Sequence, residues 1–176
     1  KNIYNYPNFL LDSGFFDSMS ITAEDRGKVK LYKTQAKRDK EFLKYSNMDD
    51  FLAILDMKVE IREADLLDVA RVSQLTLKTN QFNLTTKRYN ENDIHEYINN
   101  ENWSVYVLEV EDKYGEYGKV GVIIFEKTQL CIRLDTFLLS CRILSRNLEN
   151  VFFSKAIKKI REKWDVQLFS AHYVPT

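Results

Sequence analysis

Between residues 103 and 139 three runs of apolar and β-branched residues follow one another with little chain between them: WSVYVLEV (103–110), KVGVIIF (119–125) and CIRLDTFLL (131–139). Runs of this length and composition read as strands, and connections this short join antiparallel neighbours. Residues 111–118, which carry Gly115 and Gly118, form the hairpin loop of the first pair. The rest of the chain is arranged around this sheet. Upstream, residues 57–62 (MKVEIR) alternate apolar and polar, the period of a half-buried strand. Residues 63–78 make an amphipathic helix that buries Leu66, Val69, Ala70, Val72, Leu75 and Leu77. Asn90 caps a second helix at 91–98. Downstream come a helix over 146–164 and a last strand over 167–173. Strand, two helices, three antiparallel strands, helix, strand is an α+β order, a mixed sheet flanked by helices.

Before the sheet, residues 1–56 read as a helical arm or connector, and 57–176 as the main domain. Residues 4–16 are aromatic and form a connecting segment that packs on something. Thr22, with Asp25 three residues on, caps a long charged helix over 23–44. Its apolar stripe of Leu31, Tyr32, Ala36, Phe42 and Leu43 is narrow, so most of this helix faces water. Ser46 with Asp49 opens a short helix at 48–55. The chain begins at Lys1 without Met and ends at Pro175-Thr176 just after a strand-like run, so it reads as a piece of a longer polypeptide.

Charge narrows the function classes. Lys plus Arg and Asp plus Glu number 26 each, which gives no global field to recruit nucleic acid or an anionic membrane. There is no apolar run long enough to span a bilayer and no secretion signal. Cys131 and Cys141 are too few and too far apart for a disulfide framework or a CxxC motif. Free thiols in a cytoplasmic protein follow. His95 and His172 have no metal-ligand spacing to each other or to the cysteines, so no metal is expected in this piece.

Two stretches carry polar chemistry. The first is KTNQFNLTTKR, residues 78–88, whose amides and hydroxyls suit either a solvated loop or ligand contact. The second is SCRILSRNLE, residues 140–149, between a strand end and a helix start. Exposed backbone N–H groups there, with Arg142 and Arg146 beside them, suit a pyrophosphate. Cys141 is either a thiol activated near a helix N-terminus or an inert packing residue. Asp135, an acid inside a strand, implies a partner such as Arg133 or another cation.

Taken together, QLTLKTNQFNLTTKRY (74–89), VGVII (120–124), LDTFLLSCRILSR (134–146) and YVPT (173–176) resemble the FkbH family, as does FFDSMSITAED (15–25) upstream. Members of that family join a haloacid-dehalogenase-like (HAD) domain to a GNAT-like, N-acetyltransferase-type domain. They load a glyceryl unit on acyl carrier protein for methoxymalonyl-type extender units. The resemblance implies a GNAT-like acyltransferase domain that follows a HAD-like domain whose nucleophile and Mg²⁺ ligands are not in this sequence. It implies acyl carrier protein as partner, with coenzyme A or phosphopantetheine carrying the thioester. It points to Asn80, Gln81, Asn83, Thr85, Thr86 and Arg88 for the substrate. Ser140, Arg142, Ser145, Arg146 and Asn147, in the turn 140–147, fall to the cofactor. Asp135 is a candidate base, Tyr173 on the last strand a candidate acid, and Cys141 a candidate nucleophile. Ser145 departs from the family's glycine, and glycine is what a tight phosphate turn with positive φ favours. A second implied reading is a module without turnover that docks the carrier for the HAD-like domain, its basic residues Lys78, Lys87, Arg88, Arg142 and Arg146 gathered on one face.

Overall fold

The computed structural model describes residues 23–166 and 168–174. The expected cap at Thr22, the aromatic segment 4–16 and the terminal Pro175-Thr176 lie outside the described residues. The chain divides into two compact units, Lys1–Lys40 and Glu41–Thr176. Helix α1 (Ala23–Phe42) accounts for the described part of the first. Its surface is tied by local pairs such as Gln35 with Asp39 at 2.8 Å.

The second unit opens with α2 (Met48–Leu55). Its cap is Asn47 rather than Ser46: the Asn47 side chain accepts the Asp50 N–H at 2.9 Å. Phe51 and Leu55 are buried, and the Leu55 carbonyl accepts the Lys113 N–H at 3.0 Å. These contacts keep residues 41–56 in the same compact unit as the sheet.

Five strands follow: β1 (Lys58–Glu63), β2 (Trp103–Asp112), β3 (Gly115–Lys127), β4 (Ile132–Leu139) and β5 (Phe169–Ala171). They lie side by side in that order. The first four are antiparallel, and β5 runs parallel to β4. The β2–β3 turn is tighter than the loop expected over 111–118. Asp112 Oδ1 accepts the N–H groups of Tyr114 and Gly115, and Gly115 and Gly118 take positive φ. The last strand is shorter than expected and stops before Tyr173.

The helix expected over 63–78 starts later, as α3 (Val69–Lys78). Ahead of it Asp65 and Asp68 form a capping box around the short turn Leu66–Asp68. That cap sets the helical phase. Val69, Val72 and Leu75 point inward, while Leu66, Ala70 and Leu77 are exposed. Helix α4 (Glu91–Asn99) begins at the expected cap, Asn90, and α5 (Leu148–Lys163) spans the segment after β4.

Helices cover both sheet faces, which is why β2 to β4 read as near-continuous apolar runs. On one face Leu148, Phe152, Ala156 and Ile160 of α5 join a core with Leu108, Ile123, Ile132, Leu134, Phe137 and Leu139. On the other, α3 and α4 meet Val105, Val107, Val122, Ile124 and Leu138. Leu134 and Leu138 thus face opposite ways although four residues apart in one strand. The cause is a register shift opposite Ile124 and Phe125, which pair with Thr136 and Leu134 and leave Asp135 as the extra residue of a β-bulge.

Candidate functional site

The bulge decides what Asp135 does. Its side chain is fully buried, an arrangement that is stable only when the charge is paired. Lys87 donates to Oδ1. The Tyr89 hydroxyl donates to Oδ2, and so does Thr136 at 3.1 Å. Burial pushes the Tyr89 phenol well above its ordinary value and the neighbouring carboxylate adds to that, so Tyr89 stays a donor. The cation expected beside Asp135 is therefore Lys87, while Arg133 pairs with Glu126.

At the same place the sheet forks. The β4–β5 pairing ends at Leu134 with Ala171. A cavity of about 200 Å³ opens there, lined by Thr85, Lys87, Arg133, Leu134, Asp135, His172 and Val174. Beyond the cavity, the polar loop closes the free edge of β4. The Leu84 N–H donates to the Phe137 carbonyl at 2.9 Å, and the Leu139 N–H to the Phe82 carbonyl at 3.1 Å. Asn83 bridges Leu138 antiparallel, and the Phe82 ring packs edge-on against Phe137 at 5.1 Å. From the other side of the fork the Val174 N–H donates to the Leu84 carbonyl at 3.0 Å.

Members of the 78–88 loop divide by task. Asn83 is buried; its amide donates to the Thr79 carbonyl and its oxygen accepts the Thr86 N–H. That bond supports Thr86 at φ 56°, an uncommon conformation for a β-branched residue. Arg88 caps α3: it donates to the carbonyls of Thr76 and Thr79 and to the Asn80 side chain. These bonds commit Asn83 and Arg88 to the fold. Asn80 and Gln81 are exposed. Thr85 faces the cavity.

The turn after β4 keeps the backbone of a glycine turn without the glycines: Ser145 has φ 66° and Asn147 φ 56°. The Asn147 side chain bonds Asn150 Nδ2 at 2.5 Å and does not cap the backbone of α5. Arg146 donates to the Arg142 carbonyl at 2.7 Å and stacks over the Tyr117 ring. Arg142 Nε donates to the Ser140 hydroxyl at 3.3 Å. Lys87, Arg88 and Arg146 thus each have a structural partner.

Two catalytic expectations are placed differently from the sequence reading. Cys141 is exposed and belongs to the short turn Cys141–Ile143, ahead of α5. Hydrogen bonds with Ser170 and Thr128 hold the Cys131 thiol below its ordinary value. Tyr173 lies beyond β5 and is 63% exposed. Its neighbours His172 and Val174 line the cavity, and alternation in extended chain sends Tyr173 the other way. Lys87, expected only as one cation of a basic docking face, and Tyr89 and His172, not expected at the site, complete it. The spacing of Thr85, Lys87 and Tyr89 is the signal that could have found the first two, since alternate residues of an extended segment share a face.

No family model matches the chain, and no curated protein matches it. Solved structures do. The structure of AAC(6')-Iy in complex with the bisubstrate analog CoA-S-monomethyl-acetylneamine superposes with a TM-score of 0.51 at 8% identity, covering 67% of this chain and 81% of that one. A ribosomal-protein-alanine N-acetyltransferase from Brucella melitensis biovar Abortus 2308 gives 0.48 at 18% identity, covering 66% and 82%. The fold is GNAT-like: an α+β mixed sheet of N-acetyltransferase type, flanked by helices. Among the described residues no helix is long and apolar enough to cross a membrane, and no group of His, Cys, Asp or Glu is placed to hold a metal ion.

Proposed function

We propose that this chain is the acyltransferase-type domain of an FkbH-like protein. It handles a small, glyceryl-like acyl group held as a thioester on the phosphopantetheine of an acyl carrier protein or on coenzyme A. Supply of methoxymalonyl-type units, partnership with a HAD-like domain and a cytoplasmic setting belong to the same proposal. The observation that carries it is the 140–147 turn. Ser145 and Asn147 hold left-handed backbone, and the Asn147 side chain leaves the backbone at the start of α5 uncapped. Open N–H groups at a helix start are a fit for phosphate. The GNAT-like fold, shared with a protein solved with a CoA-containing analog, supports the same donor. A bound thioester supplies an activated carbonyl. This chain's own residues then divide the work. The turn holds the phosphates, with Arg142 and Arg146 beside it. The fork receives the acyl end, and Lys87, anchored by Asp135, offers N–H donors to its oxygen.

A second reading, a docking module without turnover, has a specific observation in its favour. A thioester arm joining turn to fork would follow the free edge of β4, where residues 82–84 are already paired. Glu149 also puts a carboxylate in the first turn of α5, which opposes an incoming anion.

Calorimetric titration with coenzyme A, and separately with holo and apo acyl carrier protein, tests the proposal. Coenzyme A binding that Arg146→Ala weakens supports the transferase. Binding to holo carrier protein alone favours docking, and silence with all three rejects both.

A further inference from the structure

The outer edge of β1 is open. Among the described residues β1 pairs with β2 alone. The Ala64 N–H donates to the Val105 carbonyl at 2.7 Å, one step beyond the Glu63–Tyr106 pair and in the same register. Bonding alternates along an antiparallel strand, so Ala64, Arg62, Glu60 and Lys58 turn their backbone groups towards β2. The N–H and C=O groups of Val59, Ile61 and Glu63 therefore face outward. Among the described residues these N–H groups have no partner, and the Glu63 carbonyl meets the Arg62 side chain at 3.2 Å.

An open row of this kind is a template for another strand, and charged side chains on it ordinarily discourage stray pairing. Here the order of the charges selects a partner. The strand reads K-V-E-I-R-E over 58–63. A second β1 can lie antiparallel with its Ile61 opposite Ile61 of the first. The outward groups then meet, Ile61 with Ile61 and Val59 with Glu63, and exchange N–H···O=C bonds. The positions between them set Glu60 against Arg62 of the second copy, and symmetry repeats the pair. Sliding one copy by two residues either way, the nearest registers that keep the bonding, sets Glu60 on Glu60 or Arg62 on Arg62. Like charges directly opposite are destabilising.

The side chains suit that register. Glu60 is exposed and stands opposite a like charge, Glu109, within its own chain. Among the described residues its carboxylate has no partner. Arg62 uses four N–H groups on Asp68, Glu109 and the Glu63 carbonyl, out of the five in a guanidinium. That network holds Arg62 in place and leaves its Nε–H open.

We propose that the outer edge of β1 binds a second copy of this chain, in the antiparallel register centred on Ile61. The contact is isologous, so it closes as a two-fold dimer rather than growing into a fibre. It lies at the sheet edge opposite β5 and the fork, and it does not depend on the thioester reading.

Sedimentation velocity on the whole 176-residue chain over a dilution series, with amide exchange on the same samples, tests the proposal. A dimer is expected, and the Val59, Ile61 and Glu63 amides should gain protection as concentration rises. Glu60→Lys places a cation against Arg62 of the second copy but relieves the opposition to Glu109 within the chain. It is expected to raise the dimer Kd about tenfold or more, with the melting temperature of the dilute monomer unchanged or higher. Val59→Pro removes an N–H that β2 does not use, and proline is tolerated on an edge strand; it too should weaken the dimer while the monomer folds. A chain that stays monomeric throughout would overturn the proposal. So would a dimer that either folded variant leaves intact, or one whose Val59, Ile61 and Glu63 amides stay unprotected.

Discussion

The Tyr89 hydroxyl donates to the Asp135 carboxylate across 46 residues of sequence, joining the segment after the polar loop to the bulge of β4. Both groups are buried. Tyr89→Phe removes the donor while keeping the ring that packs edge-on with Tyr97. The expected cost is about 1–3 kcal/mol, the price of leaving a buried acceptor short of a partner. Urea unfolding measures it; a loss under half a kcal/mol would mean that water already serves Asp135.

Lys87 and Asp135 should couple strongly. Lys87→Met leaves a fully buried carboxylate without its cation; the Lys87 side chain is itself 45% exposed, so the cost is about 1–3 kcal/mol, below that of a pair buried on both sides. Adding Asp135→Asn removes the stranded charge and should recover part of that loss. A double-mutant cycle reads the coupling directly; strict additivity of the two changes would show that the pair does not stabilise the fork.

Acid sensitivity has a second source, at the other edge of the sheet. Burial raises the Asp68 pKa, but Arg62, the Asp65 N–H and Lys119 together outweigh it and hold the group down at about 2, against 3.8 for the free side chain. The folded value is the lower one, so the stabilisation is complete above about pH 4. It is lost as pH falls towards 2, and amounts to about 2 kcal/mol. Asp68→Asn should flatten this part of the stability profile; an unchanged acid limb would contradict the assignment.

Gly121 sits where β3 passes under α5. A Cβ there would meet Leu139 Cδ2 at 2.7 Å and Phe152 Cε1 at 2.9 Å. Gly121→Ala should therefore destabilise by about 1–3 kcal/mol through overpacking. A thermal scan that shows no loss would mean the core yields more easily than its contacts imply.

The order of elements was legible because each strand of the central sheet carries its own apolar run and Asn90 its own cap. Both signals are local. The bulge at Asp135 was not legible: it appears only as a register difference against β3, which no single strand encodes. Its consequence, that Leu134 and Leu138 feed opposite cores, was hidden for the same reason. Leu66 and Leu77 read as buried because the helix was started too early, before the Asp65–Asp68 box had set its phase. In the 140–147 turn, the residue types argued against left-handed backbone at Ser145, yet the chain adopts it. The loop's amides suited either solvent or ligand contact, but Asn83 serves the backbone instead, and side-chain types alone do not separate these uses.

Amide exchange at Leu84 and Leu139 is the most direct test of the thioester account. Both N–H groups lie in the pairing that covers the edge of β4, and a phosphopantetheine arm running from the turn to the fork must displace it. With holo acyl carrier protein or coenzyme A present, the account predicts faster exchange at both amides and shifted resonances at Ser145 and Leu148. Unchanged protection at Leu84 and Leu139, with no shift in the turn at saturating ligand, would contradict it.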